Sequence, residues 1–439
     1  MAENTAKPPA KLGLKELVAM GIGGMVGGGI FSVLGIAVAT GGHAAPVAFG
    51  LGGIIALLTG WTYARLGLAF RSDGGSFTYL EHAFRNENVA GIGGWILILG
   101  YVGTLSLYAY TFGVYGAALL GHGHNPWLIR ALGSAVVLLF LGINLYGVRS
   151  AGRTEDLIVL VKVVILALFA GVGLFALKSG NLLPVFDKGP VSALMATALI
   201  FVAYEGFELI PNAMNEMRNP STDLKRSILI SILVTMAIYI LVSLVAVGNL
   251  TPAEILRYKE YALAIAAKPF LGEVGFALIG LGAILSTASA INATLFGTAR
   301  LTMVMAQERE LPKVFSFREH TRDVPWVGLL AISGVTLLFA NTANLTIISS
   351  FSSSTFLLLF AAINLAALRV RDRVSGETLT PWLGLILSGA SWMTLNLYMW
   401  EHARDTLVYA GLFYVAVVAA ELLFSERRVI RQKLWARRG

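Results

Sequence analysis

The sequence contains no cysteine. That absence removes structural disulfides, thiolate metal sites, iron–sulfur clusters and cysteine nucleophiles together. Charge is also scarce. Asp, Glu, Lys and Arg make up 13% of the 439 residues, against about a quarter in an average globular chain. The six histidines are His43, His82, His122, His124, His320 and His402. None falls inside the apolar stretches described below, so intramembrane haem or histidine–metal chemistry is not expected, and no cofactor or metal is assigned. Apolar residues take the place of charge: 56% of the chain is hydrophobic and mean hydropathy is +0.74. This composition excludes a disordered, fibrous or disulfide-stapled protein and points to a polytopic helical membrane protein. The 48 glycines fit that class, because membrane helices tolerate Gly better than soluble ones.

Twelve apolar stretches can be read, at 16–40, 44–66, 89–120, 126–147, 155–178, 191–214, 225–249, 271–297, 325–343, 346–368, 381–400 and 405–424. Most are near the roughly 20 residues that cross a hydrocarbon core about 30 Å thick. The first is too long, and too far from the N-terminus, for a cleavable signal peptide. Lys and Arg concentrate in alternate loops: 25 of the 33 lie in segments on the N-terminal side of the bilayer, 7 on the other side, and Lys162 lies within a span. By the positive-inside rule both termini are expected in the cytoplasm, with 1–15 as a cytoplasmic N-terminus and 425–439 as a basic cytoplasmic tail. The same asymmetry accounts for the net charge of +8 without any nucleic-acid partner. The outer loop 251–268 is expected to hold one or two short surface helices.

Two spans conflict with the rule that membrane segments are continuous helices. The first contains Gly21, Gly23, Gly24, Gly27, Gly28 and Gly29. Each Gly costs a helix interior about 1 kcal/mol relative to Ala, so the triplet 27–29 is the natural place to unwind. The sixth, from Phe201 to Asn212, places Glu205, Gly206, Glu208 and Pro211 at membrane depth. Glycine can instead serve close helix packing, and Gly206 with Pro211 can be a simple kink. The pair is more telling. Interrupted spans at corresponding positions of two inverted halves mark a transporter site, where free amides and carbonyls meet the charged ends of a substrate.

Charges inside the membrane default to function. Lys162 sits in the run Leu157–Leu166, about eight residues from Thr154, or roughly 12 Å at helical rise. Either it snorkels or pairs structurally, or it is an ammonium that binds and releases a proton during transport. Glu205 and Glu208 share a face if the helix persists and diverge if it breaks at Gly206. Glu421, near the inner end of the last span, is expected to snorkel. Glu216 and Arg218 form a gate or an ordinary loop pair. The hydroxyls of Ser286-Thr287-Ala288-Ser289 and of Ser349–Thr355 are expected mostly to bond back to their own helices. Trp95, Tyr101, Tyr108 and Tyr110 are read as packing or interface aromatics.

The stretch Gly21-Ile22-Gly23-Gly24-Met25-Val26-Gly27-Gly28-Gly29-Ile30-Phe31 resembles the first-span signature of the amino acid–polyamine–organocation transporters. Ala203-Tyr204-Glu205-Gly206-Phe207-Glu208, followed by Glu216-Met217-Arg218-Asn219-Pro220, is similar to that superfamily's sixth span and its exit. Ile158 to Leu166 looks like the fifth span of its proton-coupled branch. Gly282 to Thr287, Ala299-Arg300 and Glu310-Leu311-Pro312 look like the eighth span and its cytoplasmic helix. The resemblance covers nearly the whole chain. It implies an all-α membrane protein of twelve transmembrane helices: a five-plus-five inverted repeat (halves 16–178 and 191–368) with helices 1 and 6 discontinuous, and two additional C-terminal helices (381–424).

By the same resemblance the substrate-binding residues are Met25, Gly27, Gly28, Gly29, Ile30, Phe201, Val202, Tyr204, Glu205 and Gly206. The substrate carboxylate would lie on the amides of 27–29, and its amine on carbonyls around 201–204. Lys162, Glu208, Ser286 and Thr287 form the implied proton-coupling set. The lysine bridges toward the backbone at Gly24 or Met25 and toward Ser286 or Thr287. Val202 stands where many members carry an aromatic gate, and Glu205 where many carry an apolar residue. The added carboxylate favours a cationic amino acid or amine, or carries the proton. The expected function is proton-coupled transport of an amino acid or related amine by alternating access, with protons, substrate and the lipid bilayer as partners. The alternatives are an exchanger without proton coupling, or an ion (potassium) transporter on the same fold. An intramembrane enzyme is disfavoured, because no span carries a His cluster, an Asp pair or a Ser–His dyad.

Overall fold

The computed structural model describes residues 12–72, 74–84, 87–147, 152–307, 311–317 and 324–436. Most of the expected N-terminal segment 1–15, Glu310 and the last residues of the 425–439 tail lie outside the described residues. Among the described residues the chain is all-helical, with no β-strand. In order the α-helices are α1 Leu14–Met25, α2 Gly29–Gly41, α3 Ala45–Phe70, α4 Gly75–Ala83, α5 Glu87–Leu119, α6 Pro126–Leu145, α7 Gly152–Phe175 and α8 Pro190–Ile200. There follow α9 Pro220–Asn249, α10 Pro252–Arg257, α11 Ala262–Gln307, α12 Trp326–Thr342, α13 Leu345–Arg369, α14 Leu379–His402 and α15 Arg404–Ala436. Two 3-10 segments, Phe201–Tyr204 and Phe207–Glu216, continue α8.

Helix starts follow the local chemistry. The Asn125 side chain accepts from the amides of Trp127 and Leu128 at 3.0 and 3.2 Å, ahead of Pro126. The Asn344 side chain accepts from Ile347 N at 2.9 Å. Both satisfy amides that a helix N-terminus leaves without carbonyl partners. In the loop 251–268, Thr251 and Glu254 form a reciprocal capping box at α10. The backbone and hydroxyl hydrogen bonds from Thr251 hold the Glu254 carboxyl below the usual carboxylate range. The expected short helices of this loop are thus α10 and the turn Lys259–Tyr261.

Eight segments of the described residues are long and apolar enough to cross a membrane. They are Gly29–Phe70, Asn88–Leu119, Pro126–Leu145, Leu157–Phe175, Pro190–Glu216, Pro220–Asn249, Lys259–Gln307 and Leu345–Arg369, with Trp326–Thr342 shorter. Segment Gly29–Phe70, at 42 residues, holds the second half of the first expected span together with the second. Helices α14 and α15 occupy the last two expected stretches but fall outside this set. Glu421 on α15 is fully buried against Gly91 of α5 rather than reaching outward, which corrects the snorkelling expectation.

Both expected interruptions are present. α1 ends at Met25 and α2 begins at Gly29, with Val26–Gly28 between them outside helical geometry. α8 gives way to the 3-10 turn 201–204, then to an extended Glu205 (φ −64°, ψ 142°) and to Gly206 at φ +125°. The two breaks touch. A Cβ on Gly206 would lie 2.6 Å from Gly24 C and Met25 N. Position 206 therefore demands glycine twice, for its backbone conformation and for the backbone pressed against it. Below the breaks, Leu12 N donates to Glu216 O and Arg218 N donates to Leu12 O, both at 2.8 Å. The expected gate pair Glu216–Arg218 thus meets the start of α1 through main-chain bonds. Around this centre α3 packs on α9, α5 on α11 and α13, and α2 on α8.

Gly206→Ala adds a strained residue, worth about 1–3 kcal/mol, and a backbone clash. Gly189→Ala adds the strain alone, since Gly189 has φ +83° with nothing within 4 Å of its Cβ position. Thermal unfolding of the two variants in detergent should show a clearly larger drop for Gly206→Ala. Equal drops would mean that the contact between the breaks is not tight.

Candidate functional site

A helix leaves its last four carbonyls without intrahelical donors. At the end of α1 those carbonyls lie deep in the molecule, where an unpartnered polar group is costly. Each of four consecutive carbonyls here accepts from a side chain on a different helix. Lys162 Nζ (α7) donates to Gly23 O at 2.8 Å. The Tyr108 hydroxyl (α5) reaches Gly24 O at 3.4 Å. The Tyr239 hydroxyl (α9) is shared between Met25 O at 2.6 Å and Ala203 O at 3.0 Å. Ser286 Oγ (α11) makes a very short contact to Val26 O. All four side chains are buried.

Lys162 thus sits at the break, as the sequence suggested, but on Gly23 rather than Gly24 or Met25. Ser286 joins the cluster. Thr287 does not, because its hydroxyl returns to Ala283 O and Ile284 O of its own helix at 2.7 and 3.2 Å.

Beyond the break the chain turns to α2. Gly27 N donates to Gly24 O at 3.1 Å, so this amide is already engaged. Gly28 O accepts from the amide and hydroxyl of Ser32 at 2.9 and 2.6 Å. Gly29 and Ile30 open α2, where the first amides of a helix lack carbonyl partners and the macrodipole favours an anion. The Tyr108 ring lies against Gly28, where a Cβ would come within 2.3 Å of Cδ1.

In the second break Val202 N donates to Ser353 Oγ at 2.9 Å, and Ser349 and Ser353 both donate to Leu199 O. These two hydroxyls of α13 therefore serve a neighbouring helix, whereas Ser350, Ser352 and Thr355 bond back to their own. The Phe201 ring packs edge-on to Phe360. The Tyr204 ring packs against Tyr239, and its hydroxyl donates to Phe49 O at 2.6 Å.

Glu205 and Glu208 are both fully buried. Glu208 Oε2 accepts from Gly206 N at 2.8 Å, and Oε1 lies 3.5 Å from the Tyr101 hydroxyl. Glu208, the second residue of the segment Phe207–Glu216, thereby caps its own N-terminus, where a carboxylate is favoured. Glu205 Oε2 lies 3.3 Å from the Tyr108 hydroxyl.

Tyr101, Tyr108 and Tyr239 were not singled out as site residues from the sequence. A usable signal existed for two of them. Tyr101 and Tyr108 are seven residues apart, two helical turns on one face, and a buried Tyr hydroxyl needs a partner. Away from the breaks, a cavity of about 400 Å³ opens beside Tyr110, His124, Arg130 and Glu260. There the Tyr110 hydroxyl donates to Glu260 at 2.5 Å. Among the described residues no group of His, Cys, Asp and Glu could hold a metal ion.

These features define a polytopic integral membrane protein whose centre is built from backbone groups freed by two broken helices. Comparison with known proteins agrees. Residues 12–434 match the family model described as amino acid permease. An uncharacterized protein of Methanocaldococcus jannaschii is 33% identical, over 94% of this chain and 95% of its own. The inner membrane transport protein YbaT of Escherichia coli is 31% identical, over 95% and 97%. The serine/threonine exchanger SteT of Bacillus subtilis is 28% identical, over 88% and 90%. The chain belongs to the amino acid permease family, within the amino acid–polyamine–organocation superfamily.

The weight borne by Tyr239 can be measured. Tyr239→Phe strips the donor from two buried carbonyls and should cost about 1–3 kcal/mol. A lowered unfolding temperature in detergent is expected, larger than that of Thr287→Ala, whose hydroxyl serves only its own helix.

Proposed function

We propose that this protein is a proton-coupled secondary transporter of an amino acid or related amine in the cytoplasmic membrane, working by alternating access. The observation that carries the reading is Lys162. Its side chain is 1% exposed and its Nζ lies 2.8 Å from Gly23 O at the break of the first span. A buried ammonium at membrane depth is expensive to keep without a role. Charged, Nζ makes a charge-assisted bond to the carbonyl, roughly twice as strong as a neutral one. Losing the proton weakens that grip on α1. Protonation of Lys162 would in this way bias the position of the inner half of the first span. Ser286 holds the carbonyl of Val26, three residues further along the same break, and Glu208 caps the corresponding half of the sixth span.

The proposed substrate site uses Met25, Gly27, Gly28, Gly29 and Ile30 on one side and Phe201, Val202, Tyr204, Glu205 and Gly206 on the other. The open amides at the start of α2 suit a carboxylate, and the carbonyls near the 3-10 turn suit an ammonium. The proposed architecture is twelve spans with both termini cytoplasmic. Halves 16–178 and 191–368 would be related as inverted repeats, with 381–424 peripheral. The relative SteT is a serine/threonine exchanger, which supports the second reading, exchange without net proton movement.

Uptake into proteoliposomes without internal substrate separates the two. An inward proton gradient should accelerate uptake by the wild-type protein. Lys162→Ala should abolish the acceleration, leaving rates at the two pH values equal. PH-driven uptake at the wild-type rate in that variant would overturn the role of Lys162. Uptake that requires internal substrate at every pH would establish the exchanger.

A further inference from the structure

One group at the breaks has an unmet need. Glu205 is 2% exposed, and its Oε1 has no hydrogen-bond partner. The Thr104 hydroxyl and the Glu208 carboxyl both lie close to Glu205, but the hydroxyl donates to Gly100 O of its own helix at 3.1 Å. Glu208, the other carboxyl beside it, is already capping Gly206 N. Among the described residues neither Glu205 nor Glu208 forms an ion pair.

The surroundings are instead phenolic. Tyr108 and Tyr101 of α5 contact the two carboxyls directly, and Tyr63 of α3 and Tyr239 of α9 lie within electrostatic reach. A buried carboxyl with an open oxygen, a second carboxyl beside it and aromatic rings around both is a receptor for a positive group. The carboxylate supplies charge and a charge-assisted bond. Ring faces attract an alkylammonium with its methylene stem, while removing only one partner of such a buried pair is strongly unfavourable.

We propose that Glu205, walled by Tyr108 and Tyr101, forms a subsite for the side-chain ammonium of the substrate, so that the transporter selects basic amino acids over neutral ones. This rests on the reading of the two breaks as the substrate site. The substrate's carboxylate and α-ammonium take the backbone groups of the first and sixth spans. The second ammonium sits between Glu205 Oε1 and the Tyr108 ring, supplying the cation that the pair lacks. The subsite is separate from Lys162, whose Nζ is engaged at Gly23 O.

The test uses the full chain in proteoliposomes with labelled L-ornithine and L-alanine as probes, and thermal unfolding in detergent with the same compounds. Wild-type protein should take up L-ornithine with a kcat/KM about tenfold or more above that of L-alanine, because a site built around a polar group rejects the analogue lacking its partner. Glu205→Gln should lower that ratio by about tenfold or more, chiefly through the KM for L-ornithine. Glu205→Asp should recover part of it, which also guards against misreading a folding defect. Glu254→Gln, in the loop 251–268, should leave the ratio unchanged. L-ornithine should raise the unfolding temperature of the wild type more than that of Glu205→Gln.

An L-alanine preference in the wild type, or a ratio unmoved by Glu205→Gln, overturns the subsite while leaving amino acid transport intact. Stabilisation by sodium or potassium chloride with none from L-ornithine also overturns it, in favour of an inorganic cation. Absence of both uptake of L-ornithine and stabilisation by it also overturns the subsite, and the transport reading itself falls only if a panel of other amino acids and amines likewise gives no uptake.

Discussion

The structure turns on the carbonyls left open where α1 stops. Ending a helix inside a membrane protein frees groups that water cannot serve there. The molecule meets this by bringing one side chain from each of four helices to four successive carbonyls, Gly23 to Val26. The break is therefore the hub through which α5, α7, α9 and α11 are held in register. The fifth, third, seventh and eighth expected spans share one small object, and displacing α1 must disturb all four contacts at once.

The sixth span solves the same problem with different chemistry. Its freed amide at Gly206 is taken by Glu208, two residues on, and the end of α8 is served by Ser349 and Ser353 of α13. A carboxylate at the start of a half-helix is electrostatically favourable, so a charge that looks anomalous in the sequence is the natural cap for an interrupted helix. Glu205 has no comparable structural duty. The two carboxyls differ by three positions in the chain and sharply in how well they are satisfied.

Much of this was legible in the sequence. The glycine triplet, Gly206 with Pro211, and Lys162 in an otherwise apolar run are local departures from what a membrane helix should contain, and each marks a real feature of the centre. The tyrosines were not legible in the same way. Hydropathy reports how apolar a segment is, not which way a residue faces. When a helix is apolar on every side there is no stripe to set its rotation. Tyr108 in α5 therefore reads as a packing or interface aromatic and nothing singles out Tyr239 in α9, although each hydroxyl closes a gap in another helix. The same blindness to rotation explains the one-residue offset of Lys162, the retreat of Thr287 onto its own helix and the burial of Glu421. It also explains why Ser349 and Ser353, one turn apart, reach across while Ser350 and Ser352 do not.

Coupling between the two broken spans follows from their contact. Gly24 and Gly206 touch backbone to backbone, Tyr239 is shared between Met25 and Ala203, and the Leu12 backbone bonds to Glu216 and Arg218. These links lie at the centre and at the N-terminal end of α1, so α1 and the segment Phe207–Glu216 form one packed unit. A shift of α1 cannot leave the sixth span behind without opening buried hydrogen bonds, each worth about 1 kcal/mol net and more when a partner is left stranded. Lys162 and Glu205 thus bear on neighbouring carbonyls of one short stretch of backbone, the lysine directly at Gly23 and the carboxyl through the Tyr108 hydroxyl at Gly24.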